Sequence, residues 1–414
     1  MYKNWMRIAL LNFLIAVCIG ALLRYAFVNE VSWLDFRHFL HAHSHVAMLG
    51  WVYQALFVLL IHTFLPEERK KAPIYKWLFW SAQLSVLGML FTFPFMGYAS
   101  WSIVFSSIHI LISYVFVFRF LKDLAPSPRT WSITLAKTAL ILMVISTLAL
   151  WAMGPIVALQ LKGSAWYYAA VQFYLHFQFN GWFTFAVLAL FFRILEKRQI
   201  PLPVKSMRAF YTLLLVSCFL TYALAVAWST PLKFIFWTNS LGAALQLVAA
   251  VMLVHLLSKT LPALRGQLPR WPRLLFLAAL TCFLLKILMQ SAIIVPYMAT
   301  IGFTIRNFVI GFIHLILLGI ISIFLLGYAN YQKLIRFDHP LARFGLILFL
   351  SGFLFSELIL YLQGILFWGG WGFLPYYYEG LFGISVLMPT GILILSIVQL
   401  IPRIKRDTDV LTNL

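Results

Sequence analysis

Residues 38–51 read HFLHAHSHVAMLGW: four histidines within eight residues, with a long apolar run directly after them. The pattern at the end of this stretch returns twice. HVAMLGW from His45, HFQFNGW from His176 and HLILLGI from His314 each place a glycine five residues after the histidine, at Gly50, Gly181 and Gly319. In the first two a tryptophan follows, at Trp51 and Trp182. The histidines are 131 and 138 residues apart. Near-equal spacing of this kind points to three copies of one structural unit. The plainer explanation is that glycine is frequent wherever membrane helices pack closely.

Composition fixes what the unit is. Of 414 residues, 63% are hydrophobic and 10% charged, and mean hydropathy is +0.94. A soluble domain that apolar could not cover its own surface. The element to look for is therefore the transmembrane helix of about 20 residues. Twelve are expected, at roughly 6–25, 40–65, 76–96, 99–119, 132–156, 167–193, 208–229, 234–257, 273–295, 303–328, 343–367 and 380–401. The connectors, such as APSPRT and RQIPLPVKS, are short and rich in turn residues. The expected fold is an all-α polytopic membrane protein forming a single transmembrane domain over 1–414. The histidine spacing divides it into pseudo-repeats of about 1–130, 131–270 and 271–414, each an arc of four helices. The first segment, Met6–Tyr25, has a basic start but no small-residue cleavage site after it, and is expected to be retained. Cys18, Cys218 and Cys282 each lie alone in an apolar run, which argues against a disulfide framework, an iron–sulfur motif or c-type haem attachment.

Orientation follows from the basic residues. The chain ends and the loops after even-numbered spans hold 25 of the 31 Lys and Arg. The loops after odd-numbered spans hold Arg24, Arg37, Lys162, Lys233 and Arg306, and Lys286 falls inside the ninth span. Both termini are thus expected in the cytoplasm, with the HAHSH cluster at the outer side. The net charge of +20 is spread over short loops. It reads as a topology signal with attraction to anionic lipid, and not as a nucleic-acid-binding surface.

His45, His176 and His314 then lie on the second, sixth and tenth spans. His176 and His314 sit about 15 Å below the outer surface at 1.5 Å per residue, and His109 lies at similar depth on the fourth span. A lone buried imidazole often serves only structure, but ionisable groups within a bilayer are costly and usually face the bundle interior. On a helix His38, His41 and His45 share one stripe while His43 points away from it. Register with the other two histidines selects His45.

Twelve helices in three arcs of four, with histidines on spans two and ten, resemble subunit I of the haem–copper oxidase superfamily. In that family these two histidines clasp a low-spin haem near the outer side. The resemblance therefore implies a b-type haem held by His45 and His314. Departures from the family pattern bear on the rest. Phe312 stands where the family has a second span-ten histidine. No histidine occurs between residues 177 and 254, where the family has a copper-binding pair, and Asn180 stands where many oxidases have tyrosine. The resemblance thus implies a haem protein with a redox or small-gas role (nitric oxide or oxygen) in place of full oxidase activity. Its setting would be a bacterial cytoplasmic (inner) membrane, with a quinol or cytochrome as electron partner. His41, His43, His176 and His109 are candidate ligands for a loosely held metal, copper included.

Glu357 and Lys286 are charged residues inside apolar spans. Together with Asn180 they are candidates for a proton or polar path, or the two charges pair with each other. Two other classes stay open. A solute or metal-ion transporter would use the outer histidines as a funnel, although three parallel units are not the inverted repeats common in transporters. A non-catalytic haem-holding or assembly subunit would carry the same ligands.

Overall fold

The computed structural model describes residues 1–402 apart from Pro126, Trp228 and Arg265. The C-terminal tail that the charge bias assigns to the cytoplasm lies largely outside the described residues. Among those residues twelve helices are long and apolar enough to cross a membrane. They are α1 (Tyr2–Tyr25), α2 (Phe36–Phe64), α3 (Pro73–Met96), α4 (Ser100–Leu124), α5 (Trp131–Ala158), α6 (Ala165–Lys197), α7 (Val204–Ala227), α8 (Lys233–Thr260), α9 (Arg270–Ala292), α10 (Arg306–Tyr331), α11 (Pro340–Trp368) and α12 (Tyr377–Leu400). No strand occurs among the described residues. The protein is an all-α polytopic membrane protein, and an even number of crossings puts both ends of the bundle on one face. The opposite face is called outer below.

Local chemistry sets the helix ends. The Asp35 carboxylate caps α2 by accepting from the His38 amide at 2.9 Å, an N-cap satisfying an amide that no helix carbonyl reaches. Proline opens α3 and α11, where its missing N–H is not needed. Between α3 and α4 the chain turns at Gly97, with φ of +58°, a conformation open mainly to glycine.

Burial separates two classes of helix. The apolar stretches of α2 and α6 are 89% buried and that of α10 is 67% buried, against 28–44% for the others. A helix apolar on all sides belongs in a core, and α2, α6 and α10 form that core, touching one another in their inner halves. The other helices surround them with packing that recurs three times. α1 lies on α2, α5 on α6 and α9 on α10, while α3–α4, α7–α8 and α11–α12 form close pairs. α4 meets α5, α8 meets α9, and α12 closes the ring on α1.

The three core helices share a local anomaly. Directly after His45, His176 and His314 the backbone widens into π-helix, over Val46–Tyr53, Phe177–Phe183 and Leu315–Ser322. Such stretches are rare and concentrate at functional sites. Two hydroxyls help to hold them: Thr184 and Ser322 each donate to a carbonyl five residues earlier, Phe179 and Leu317, at 2.7 Å. The glycine five residues after each histidine has a packing reason. A Cβ on Gly50 would stand 3.1 Å from Asn12 of α1, one on Gly181 3.0 Å from Leu142 of α5, and one on Gly319 3.0 Å from Cys282 of α9. Each glycine admits the helix that precedes its own.

Candidate functional site

The core helices differ along their length. Below the histidines α2, α6 and α10 are almost wholly buried; above them, at residues 43–45, 171–175 and 312–314, they are half-exposed. The outer half of the core is thus open to clefts, and the inner half is sealed. A pocket of about 710 Å³ lies at the outer rim, with Arg37, Leu40 and Arg306 in its lining. Leu40 stands one turn above His43, and Arg306 about 12 Å above His314 along its helix.

His314 stands beside Glu357 of α11, with Nδ1 3.5 Å from a carboxylate oxygen. That is an ion-pair distance, too long for a hydrogen bond. Neither carboxylate oxygen accepts a hydrogen bond, and His314 Nδ1, Arg24 Nη1 and the Tyr361 hydroxyl also lack partners although sealed from solvent. Arg24, at the outer end of α1, is the charge that faces Glu357, and it also lies within electrostatic range of Tyr377. Buried polar atoms normally find partners. So many orphans in one place suggest a group not supplied by the polypeptide.

His43 belongs to the same centre. Its Nδ1 lies 2.8 Å from the Ala16 carbonyl of α1, which can only accept, so Nδ1 carries the hydrogen and Nε2 is the free acceptor. The ring lies over Gly20, where a Cβ would stand 2.9 Å from it, and His43 is within electrostatic range of His314. His45 is turned elsewhere. Its Nδ1 donates to the His41 carbonyl one turn back at 2.9 Å, and its Nε2 is 3.3 Å from the Tyr98 hydroxyl. Its ring packs on Phe93 at 4.4 Å, and His41 packs on Tyr98 at 4.6 Å. Residues two apart on a helix point to nearly opposite sides. Here the side shared with His314 is that of His43, not the side of His45 that the repeat register selects.

The remaining candidates fall into other interfaces. His109 is buried edge-on against Tyr53 at 4.7 Å, with Nε2 unpartnered and His45 in electrostatic range. His176 has both nitrogens engaged. Nε2 donates to the Cys218 carbonyl at 2.7 Å, and Nδ1 lies 3.4 Å from the Asn180 amide nitrogen. A metal at His176 would have to displace one of these bonds. Among the described residues no group of three or more His, Cys, Asp or Glu is gathered as a metal ion would need. Lys286 lies near His176 and Cys218, whereas Glu357 lies near His314 and Arg24. The two intramembrane charges thus serve separate centres.

Sequence reasoning passed over Arg24, Tyr98 and Tyr361. Arg24 carried a usable signal, since a basic residue on the outer side runs against the charge bias. The tyrosines carried none in a chain where 17% of residues are aromatic. In comparisons with known proteins, the chain matches no family model and no curated sequence.

Proposed function

We propose that the chain is a haem-binding integral membrane protein, in which His43 and His314, on the outer halves of α2 and α10, would hold the haem. One observation carries this reading. Two imidazoles from core helices lie in the open half of an otherwise sealed core, each with Nδ1 turned to an oxygen acceptor and no hydrogen bond at Nε2. A hydrogen bond at one ring nitrogen is what orients a histidine whose other nitrogen binds metal, and His43 makes that bond to the Ala16 carbonyl. Arg24, with Nη1 unpartnered, supplies the cation that a haem's carboxylates call for. A b-type haem there would supply one-electron redox or small-gas chemistry.

The chain's own residues do the rest. The Ala16 carbonyl fixes the His43 ring, Glu357 stands beside the His314 ring without bonding it, and the packed inner halves of the core helices keep water from passing. That seal also weighs against a solute path through the core. The likeness to haem–copper oxidase subunit I extends the proposal to a quinol or cytochrome electron partner and a bacterial inner membrane. With His176 engaged at both nitrogens, little oxygen reduction is expected.

The test is the reduced-minus-oxidised spectrum of protein purified from haem-supplied cells. The wild type should show a bis-histidine haem spectrum. His314→Ala and His43→Ala should each lose it, and His45→Ala should keep it. Loss in His45→Ala with retention in His43→Ala would return the ligand role to His45. A wild type without haem ends the proposal and favours a transporter.

A further inference from the structure

The interface of α6, α7, α8 and α9 holds a second polar centre that the haem reading does not use. At its middle is Lys286, 2% exposed. It forms no hydrogen bond or ion pair, and the groups within its electrostatic range are the Cys218 thiol and the His176 imidazole, neither of them an anion. The one carboxylate at comparable depth, Glu357, is committed to His314 and Arg24. An amine buried in a bilayer without a counter-charge must either give up its proton or take up an anion.

The surroundings of Lys286 supply further donors. Asn239 and Ser240 of α8 donate to the carbonyls of Ile293 and Ile294, just past the end of α9. These antiparallel contacts set the register of the two helices. Seven residues on from Asn239 along α8 and seven back from Ile293 along α9, Gln246 comes level with Lys286, and Gln290 lies one turn above it on the same face of α9. Gln246 is 2% exposed and Gln290 5%. Neither makes a hydrogen bond, and the carbonyl oxygens of both are sealed and unpartnered. An ammonium and two uncommitted amides, each with N–H to offer, form a donor set for a small anion. The inner half of α6 closes the centre from below, while residues 171–175 of α6 leave its outer side half-open.

We propose that Lys286, Gln246 and Gln290 form a binding site for a small monovalent inorganic anion, reached from the outer side. The anion neutralises Lys286, and the amides satisfy its remaining lone pairs. The site is independent of the haem, whose candidate ligands lie between other helices.

The experiment is the thermal stability of the full-length protein in nanodiscs, titrated with sodium nitrate or sodium bromide at constant ionic strength, with the bulky anion isethionate as balance. A ligand of the folded state alone raises Tm with the logarithm of its concentration. A hundredfold increase above saturation should give a rise of about 2–5 °C. Lys286→Met should abolish the rise, and in isethionate it should melt no lower than wild type, since a buried amine without a partner has been removed. If Lys286→Met does not fold, Gln246→Leu and Gln290→Leu decide. Each removes a hydrogen bond to a charged group and should raise the half-saturating concentration about tenfold. Haem absorbance, read in the same samples, should not change. A wild type insensitive to nitrate and bromide, an undiminished rise in Lys286→Met, or unchanged half-saturation in both glutamine variants would each overturn the proposal.

Discussion

Glu357 stands 3.5 Å from His314 with neither oxygen hydrogen-bonded, so any effect it has on the imidazole acts across space, with Arg24 behind it. A carboxylate beside a metal-binding histidine makes the ring a stronger donor and favours the oxidised metal. Glu357→Gln should therefore retain haem and raise its midpoint potential by about 60 mV, a tenfold change for one electron. A redox titration followed by absorbance measures this, and an unchanged potential would separate Glu357 from the ligand. Gly181 offers a test free of cofactor. A Cβ there would stand 3.0 Å from Leu142 Cβ, so Gly181→Leu should force α5 off α6 and cost about 1–3 kcal/mol. Urea or thermal unfolding in mild detergent would read the loss. The glycine was legible in the sequence as a repeat position. What it packs against was not, because the partner helix lies about 40 residues away with no matching motif.

The π-helical stretches are the distinctive elements. Each begins directly after a repeat histidine and ends near a hydroxyl residue eight positions on, at Tyr53, Thr184 and Ser322. Ser322 has two tasks, donating to Leu317 and accepting from Trp51 Nε1 at 2.7 Å, which ties α10 to α2. Ser322→Ala leaves a buried indole N–H without an acceptor and should cost about 1–3 kcal/mol. Trp51→Phe removes donor and bulk together. If Ser322 matters only through Trp51, the double variant should be no less stable than Trp51→Phe alone, and a double-mutant cycle reads that coupling. Thr184→Val, which loses only the bond to Phe179, should cost about 1 kcal/mol.

At the scale of the whole molecule, twelve crossings place both ends of the bundle on one side, and the bias of the basic loops leads us to expect that side in the cytoplasm. Reporter fusions after Lys70 and after Lys197 should therefore report the same compartment, and a fusion after Lys162 the opposite one. Opposite results for the first two would break the span assignment. The ring of outer helices around α2, α6 and α10 also makes a prediction about access. A cysteine placed at position 313, in the open outer half of α10, should react with a small water-soluble thiol reagent added from outside. One at position 325, in the sealed half, should not.

The sequence by itself determined the number of spans and their boundaries to within several residues. The reason is local: a backbone in hydrocarbon must satisfy its own hydrogen bonds, so an apolar run of sufficient length has only the helix to form. It also marked α2, α6 and α10 as related, through glycines that helix packing requires. It did not determine which side of a helix faces inward, because lipid tails and neighbouring apolar side chains attract a leucine alike and hydropathy carries no facing signal. That choice was left to tertiary packing. Packing turned His43 toward α10 and His45 toward Tyr98, set Glu357 beside His314, and left Lys286 at the centre of a different interface.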